Sequence, residues 1–144
     1  MTKCRIAPRS RSRRVALQAL YQWQLAGHTP LKIEEQYLND KNSGQLDTEY
    51  FQVLFRNIVS NVEVIDTQLS LSLDRPINQL DPIELSVLRI GVYELTHCID
   101  VPWKVVINEA VELAKVFGGE QSHRYVNGIL DKIAQQNRKT EIRS

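Results

Sequence analysis

The segment that most limits what this chain can become is Pro82–Thr96, PIELSVLRIGVYELT. Ile83, Leu85, Val87, Leu88, Ile90, Val92 and Leu95 cover well over half of its circumference when it is wound at about 100° per residue. Ser86, Arg89, Tyr93 and Thr96 make a narrow polar stripe, and Glu94 stands apart from it. A helix this apolar has to be touched on several sides, so the remaining helices must pack around it. Its start is written in "DPIE": Asp81 as N-cap, Pro82 at the first helical position and Glu84 reaching back as in a capping box. Gly91, in the middle, costs about 1 kcal/mol of helix propensity relative to alanine. A close crossing by another helix would explain it.

Nearly every other long segment has helical period too. The first predicted helix runs from about Ser12 to Ala26, with Ala16, Ala19, Leu20 and Trp23 inward, and stops at Gly27. A short helix over Leu31–Leu38 and a polar loop, "NDKNSG", follow. Asp47 is the predicted cap of a long third helix. Its stripe of Phe51, Leu54, Phe55, Ile58, Val62, Ile65 and Leu69 continues to about Leu71. "LDRPINQL" breaks it, with Pro76 starting a short turn. After "DVPWK", Val106, Ile107, Ala110, Ala114 and Phe117 mark a helix ended by Gly118-Gly119. Ser122 is the expected cap of the last helix, whose core stripe is Val126, Ile129, Leu130 and Ile133. No strand-like alternation interrupts this. The expectation is an all-α fold of six or seven helices, in two short groups packed around the apolar helix. An arginine-rich, flexible arm over residues 1–11 would precede a helical domain over 12–137, and 138–144 would be a polar, frayed tail.

The chemistry that is missing narrows the function. His28, His97 and His123 show no metal-ligand spacing with one another or with a Cys/Asp/Glu set. Phosphate loop, dinucleotide fingerprint and nucleophile elbow are all missing. Glu109 and Glu112, followed by Lys115, read as an ion-paired solvated face. No enzyme, cofactor, metal or small-molecule substrate is expected; a hydrolase would need a pocket of converging titratable groups. Cys4 and Cys98 form no C-x-x-C and read as free thiols of a reducing compartment. The N-terminal residues lack a signal peptide's apolar stretch, and no apolar run reaches the roughly 20 residues of a membrane span. A cytoplasmic protein without a membrane partner is expected.

Charge supplies the positive clue. Residues 1–14 hold six basic side chains and no acidic one, whereas the other 130 residues hold twelve basic and seventeen acidic. A cationic end suits an anionic polymer, and an acidic body suits a basic protein. On the first helix Arg14, Gln18 and Tyr21 fall opposite the core face, with Arg11 just beyond and Leu25 on the same side. Arginine forks hold phosphates, and bases of a single strand stack on tyrosine.

The stretches "RRVALQALYQWQL", "ELSVLRIGVYEL" and "DVPWKVVINEAVELAKVFGGEQSHRYVNGILDKI" resemble the NusB family of bacterial transcription antitermination factors over essentially the whole chain. The resemblance implies two packed three-helix bundles and a non-enzymatic RNA-binding protein. It implies pairing with NusE, a small-subunit ribosomal protein, on single-stranded boxA RNA. It also implies entry into a complex with RNA polymerase and other Nus factors, which suppresses premature termination, notably in ribosomal RNA operons. Carried onto this chain, the RNA-binding residues would be Arg9, Arg11, Arg13, Arg14, Tyr21, Lys104, Gln121 and Tyr125, to which the helical wheel adds Gln18. Tyr125 stands where the family usually has Phe, and Gln121 where it often has an acid. Glu84, with Arg89 and Tyr93 on the central helix, would face NusE. The competing reading is a helical protein–protein adaptor without sequence-specific RNA binding.

Overall fold

A computed structural model describes residues 6–40 and 46–143, with side chains from residue 9 onward. The first five residues of the expected arm, residues 41–45 of the expected loop and Ser144 lie outside the described residues. Every regular element among the described residues is helical, and none is long and apolar enough to cross a membrane. Two compact units divide the chain, Met1–Ser60 and Asn61–Ser144.

The first unit holds α1 (Ile6–Ala26), α2 (Pro30–Leu38) and α3 (Thr48–Ser60). Gly27 ends α1 in the left-handed region, at φ 70°, and its N–H donates to the Trp23 carbonyl at 3.1 Å. Only glycine enters this conformation at no steric cost, which is why the helix stops here. Proline opens α2, where its missing N–H costs nothing. Asp47 caps α3 by accepting the Tyr50 N–H at 3.0 Å. Ala16, Leu17, Ala19 and Leu20 of α1, Ile33 of α2, and Phe51, Leu54, Phe55 and Ile58 of α3 form the buried core. Each large side chain among them contributes about 1.5–3 kcal/mol by leaving water. Glu34 of α2 is also buried, and Arg56 of α3 meets it with a bidentate fork at 2.7 and 2.6 Å. The Arg56 hydrogen bonds hold the Glu34 carboxyl below its ordinary range, against burial, which raises it.

Two expectations fail in this unit. Helix α1 begins at Ile6, six residues before the expected start, and so takes in residues 6–11 of the expected arm. Tertiary contacts hold those early turns. The Ser12 hydroxyl donates to the Asp47 carbonyl at 2.6 Å, and Arg9 reaches the Asp47 carboxylate at 3.8 Å. The long third helix is also two helices. Ser60 bonds back to the Arg56 carbonyl at 2.8 Å, a contact that bends helices. Asn61 then leaves helical geometry, at φ −115° and ψ 22°.

The second unit holds α4 (Val62–Ser70), a 3₁₀ turn (Ile77–Gln79), α5 (Pro82–His97), α6 (Trp103–Phe117), α7 (Ser122–Asn137) and the short α8 (Lys139–Arg143). The apolar helix is α5. Every residue from Leu85 to Leu95 is buried, with α4, α6 and α7 against it. Gly91 is where α7 crosses: a Cβ there would lie 2.6 Å from Leu130 Cδ1. Asp81 caps α5 as read, accepting the Ile83 and Glu84 N–H groups at 3.0 and 3.3 Å. Glu84 does not complete a capping box with it. Its carboxylate accepts the Ser122 hydroxyl at 2.7 Å. Ser122 in turn is the first residue of α7, not its cap; Gln121 holds the cap position without a side-chain bond.

The expected frayed tail is folded. Arg138 is buried, and its guanidinium donates to the carbonyls of Glu94, Leu95, Cys98 and Val101 at 2.8–3.1 Å. These carbonyls lie at the end of α5 and just beyond it, those of Glu94 and Cys98 also accepting the Cys98 and Val101 N–H groups, and a cation suits that end of the helix dipole. Glu141 pairs with Arg138 at 2.5 Å and accepts the Trp103 N–H, at the start of α6, at 2.9 Å. That N–H bond, followed by Arg138, lowers the Glu141 carboxyl against the effect of burial. The C-terminal residues thus cap two helices at once.

Candidate nucleic-acid interface

The polar stripe of α1 is present and open. Arg11, Arg14, Gln18, Tyr21 and Leu25 follow one another at spacings of three and four, which stacks them on one face, and all five are exposed. The Tyr21 ring is 36% exposed. Arg11, Arg14, Gln18 and Tyr21 have no hydrogen-bond or ion-pair partner among the described residues. Two guanidinium forks, an amide and a phenol ring therefore face solvent with their full binding capacity.

Arg9 and Arg13 do not belong to that stripe. Arg13 is buried, at 2% exposure, and its guanidinium lies 5.4 Å from the Tyr50 ring centroid. Arg9 covers the same ring at 4.3 Å and pairs with Asp47. Four residues separate them, so both face α3, and their aliphatic stems allow the burial. Of the four arginines expected to hold phosphates, two contact Tyr50 of α3. The signal was available: Arg13 stands three residues before Ala16 and four before Leu17, on the core side of the wheel.

In the second unit, Lys104 is exposed at the start of α6, with Nζ 5.7 Å from the Trp103 ring centroid. The Gln121 side chain is exposed and without a partner among the described residues. Tyr125 is half-buried and engaged. Its hydroxyl donates to Asp74 Oδ1 at 3.0 Å, and the Arg75 guanidinium lies 4.6 Å over its ring. Arg75 also donates to Asp74 at 3.0 Å. Burial, with the Asp74 hydrogen bond second, pushes the Tyr125 phenol up to about 12. The Arg75 hydrogen bond, with that from Tyr125 second, lowers the Asp74 carboxyl. In the sequence Asp74 and Arg75 show only as part of a helix break, and nothing there points to Tyr125.

The residues expected to face a protein partner divide. Glu84 is half-buried. Arg89 and Tyr93 are buried, at 8% and 7% exposure. Arg89 grips Asp66 of α4 with two bonds, at 2.9 and 2.8 Å, and the Tyr93 ring lies 5.0 Å from that of His97. Thr96, on the same stripe, bonds Gln68 of α4 at 3.4 Å. Two residues of the narrow polar stripe of α5, Arg89 and Thr96, thus bind α4.

The sequence profile of the NusB family matches residues 10–135. A transcription antitermination protein NusB from Pasteurella multocida is 50% identical over 130 residues, 90% of each chain. A crystal structure of T. maritima NusB superposes with a TM-score of 0.81 at 34% identity, over 95% of this chain and 98% of that one. A solved complex of antitermination factors NusB and NusE with double-stranded RNA matches with a TM-score of 0.77 at 29% identity, over 91% and 98%.

Proposed function

We propose, from the premise that this chain belongs to the NusB family, that it is an RNA-binding antitermination factor working as a pair with NusE on single-stranded boxA RNA. The observation that carries this reading is the unpartnered stripe Arg11–Arg14–Gln18–Tyr21 on α1. The two arginines hold phosphates through bidentate, charge-assisted bonds and release counterions on binding. Tyr21 offers a stacking plane, and only a base free of its helix can use it. Lys104, Gln121 and the clamped Tyr125 are further contacts, supplied by the second unit. Glu84, on the acidic part of the chain, is the residue best placed to meet a basic ribosomal protein. In the cytoplasm the pair joins RNA polymerase and other Nus factors, and suppresses premature termination, notably in ribosomal RNA operons.

The test is fluorescence anisotropy of labelled boxA and scrambled RNA at near-physiological salt, with this protein, with NusE and with both. Two partial surfaces in one complex bind more tightly than either alone. Tighter, boxA-selective binding by the pair is the expected result. Equal, weak binding to both RNAs without help from NusE would leave a protein–protein adaptor in place of this reading.

A further inference from the structure

Between the start of α6 and the middle of α7, the second unit has a small pocket of about 190 Å³. Buried Ile107 and half-buried Trp103 supply its apolar lining, and Lys104, Asn108, Asn127 and Asp131 its polar lining. Trp103 is held at the first position of α6, where its N–H bonds Glu141. Asn108, Asn127 and Asp131 are exposed and have no partner among the described residues. Two amides and a carboxylate therefore line one pocket with every donor and acceptor unused.

A second observation concerns the helix backbone beside it. Gly128 follows Asn127 directly and precedes Asp131 by three residues, in the interior of α7. Glycine there costs about 1 kcal/mol of helix propensity. Gly91 offsets that cost by letting α7 approach; Gly128 does not, because a Cβ would meet nothing within 4 Å. Packing within this chain leaves Gly128 unexplained, whereas close approach of a ligand to the backbone explains it. Arg124, three residues before Asn127, is exposed and likewise without a partner among the described residues.

We infer that this pocket is a subsite for one unpaired guanine base of bound RNA, an inference that rests on the RNA-binding reading above. The indole gives the base a stacking wall. The Asn108 and Asn127 amides carry donors and acceptors able to read base edges, whereas the Asp131 carboxylate only accepts. Guanine is the base whose pairing edge presents two adjacent N–H groups, N1–H and N2–H, to such an acceptor. Adenine and cytosine place a lone pair beside their amino group, and uracil flanks its single N–H with carbonyl oxygens, so each sets an acceptor against the carboxylate. Lys104 and Arg124 lie where the flanking phosphates would run, contacts that position the strand without reading it. A carboxylate weakens indiscriminate attraction to a polyanion, so its role on such a surface is selection.

The experiment uses the full chain labelled with 5-fluorotryptophan, in the presence of unlabelled NusE. The chain has two tryptophans, so Trp23→Phe assigns the Trp103 ¹⁹F resonance. Uridine nonamers carrying a central guanine, adenine or inosine are titrated, and anisotropy of the same labelled RNAs gives affinity. The guanine nonamer should shift the Trp103 resonance and bind on the order of tenfold more tightly than the other two, as expected when a bidentate base contact is lost. Inosine is the sharpest control, since it lacks only the N2 amino group. Asp131→Asn should abolish the preference while leaving helix content intact. If all nonamers bind alike with the Trp103 resonance unmoved, the pocket is not a base site, and the RNA-binding reading survives. A shift of equal size with every base overturns the guanine assignment. Failure of every nonamer to bind while labelled boxA RNA binds in the same assay overturns the guanine assignment alone; failure of boxA RNA as well overturns both readings.

Discussion

Two helices of this molecule carry the same sequence signal, and the fold uses them in opposite ways. On α1 the polar positions Arg11, Arg14, Gln18 and Tyr21 face solvent unpartnered. On α5 the polar positions Arg89 and Thr96 are bonded to α4, Arg89 to Asp66 and Thr96 to Gln68. Both stripes look alike on a helical wheel. The difference lies in the rest of the circumference. Helix α1 has one core side and one open side, so its polar face is left over. Helix α5 is apolar almost all round, and its narrow polar strip is too valuable as packing area to be left in water. On a helix that is mostly buried, a polar strip marks a partner helix within the chain rather than a partner molecule.

The comparison is broken most severely at Arg89. Arg89→Ala leaves the Asp66 carboxylate without its fork. Removing one member of a buried pair costs about 3–5 kcal/mol, and the partial exposure of Asp66 (25%) puts this case near the lower end. Urea unfolding should show that loss with an unchanged slope, while RNA affinity of the folded protein stays put. A loss of RNA affinity at full stability would return Arg89 to a binding role. The same contrast recurs inside α1 on a smaller scale. Arg13→Ala should cost about 1–2 kcal/mol through lost packing and the Tyr50 contact, and leave the salt dependence of RNA binding unchanged.

Arg11→Ala combined with Arg14→Ala should do the reverse. Stability stays within about 0.5 kcal/mol, because both side chains are exposed and unpaired. The slope of log affinity against log salt should flatten by about 1–2 units, since up to two phosphate contacts are lost. An unchanged slope would take α1 out of the RNA surface and leave its stripe as a solvated face.

Local chemistry explains which features were legible in the sequence. The apolar run of α5, the caps at Asp47 and Asp81, the stop at Gly27 and the crossing at Gly91 are set by residues close in the chain or by one missing side chain. The open stripe of α1 follows from the same periodicity. What escaped depends on partners far away in sequence. Arg138 meets carbonyls 37 to 44 positions earlier, and Tyr125 meets Asp74 across 51. A polar residue in a polar tail looks frayed until the helix end it satisfies is known. The contacts of Arg9 and Arg13 with Tyr50 escaped for a different reason. Charge drew attention to them as a set with Arg11 and Arg14, although the wheel already separated them.

Tyr125 tests the smallest difference, between an aromatic ring that is free and one that is held. Tyr21 is unpartnered, whereas Tyr125 is fixed by Asp74 and covered by Arg75. The Tyr125 phenol sits near 12 in the folded protein, above its ordinary value of 10.0. A group whose acidity is weakened on folding stabilises the fold below its unfolded value and loses that contribution as pH rises through the folded one. Tyr125 therefore contributes fully below about pH 10, and the contribution fades between about 10 and 12. Tyr125→Phe should remove one late-ionising tyrosine from the ultraviolet titration and flatten the decline of stability over that interval. If stacking is what the ring supplies, the same variant keeps its RNA affinity, because phenylalanine preserves the plane and Arg75 can still cover it. A weakened affinity would instead assign the hydroxyl and Asp74 a part in setting where Arg75 points, with Arg75 as the group that RNA meets.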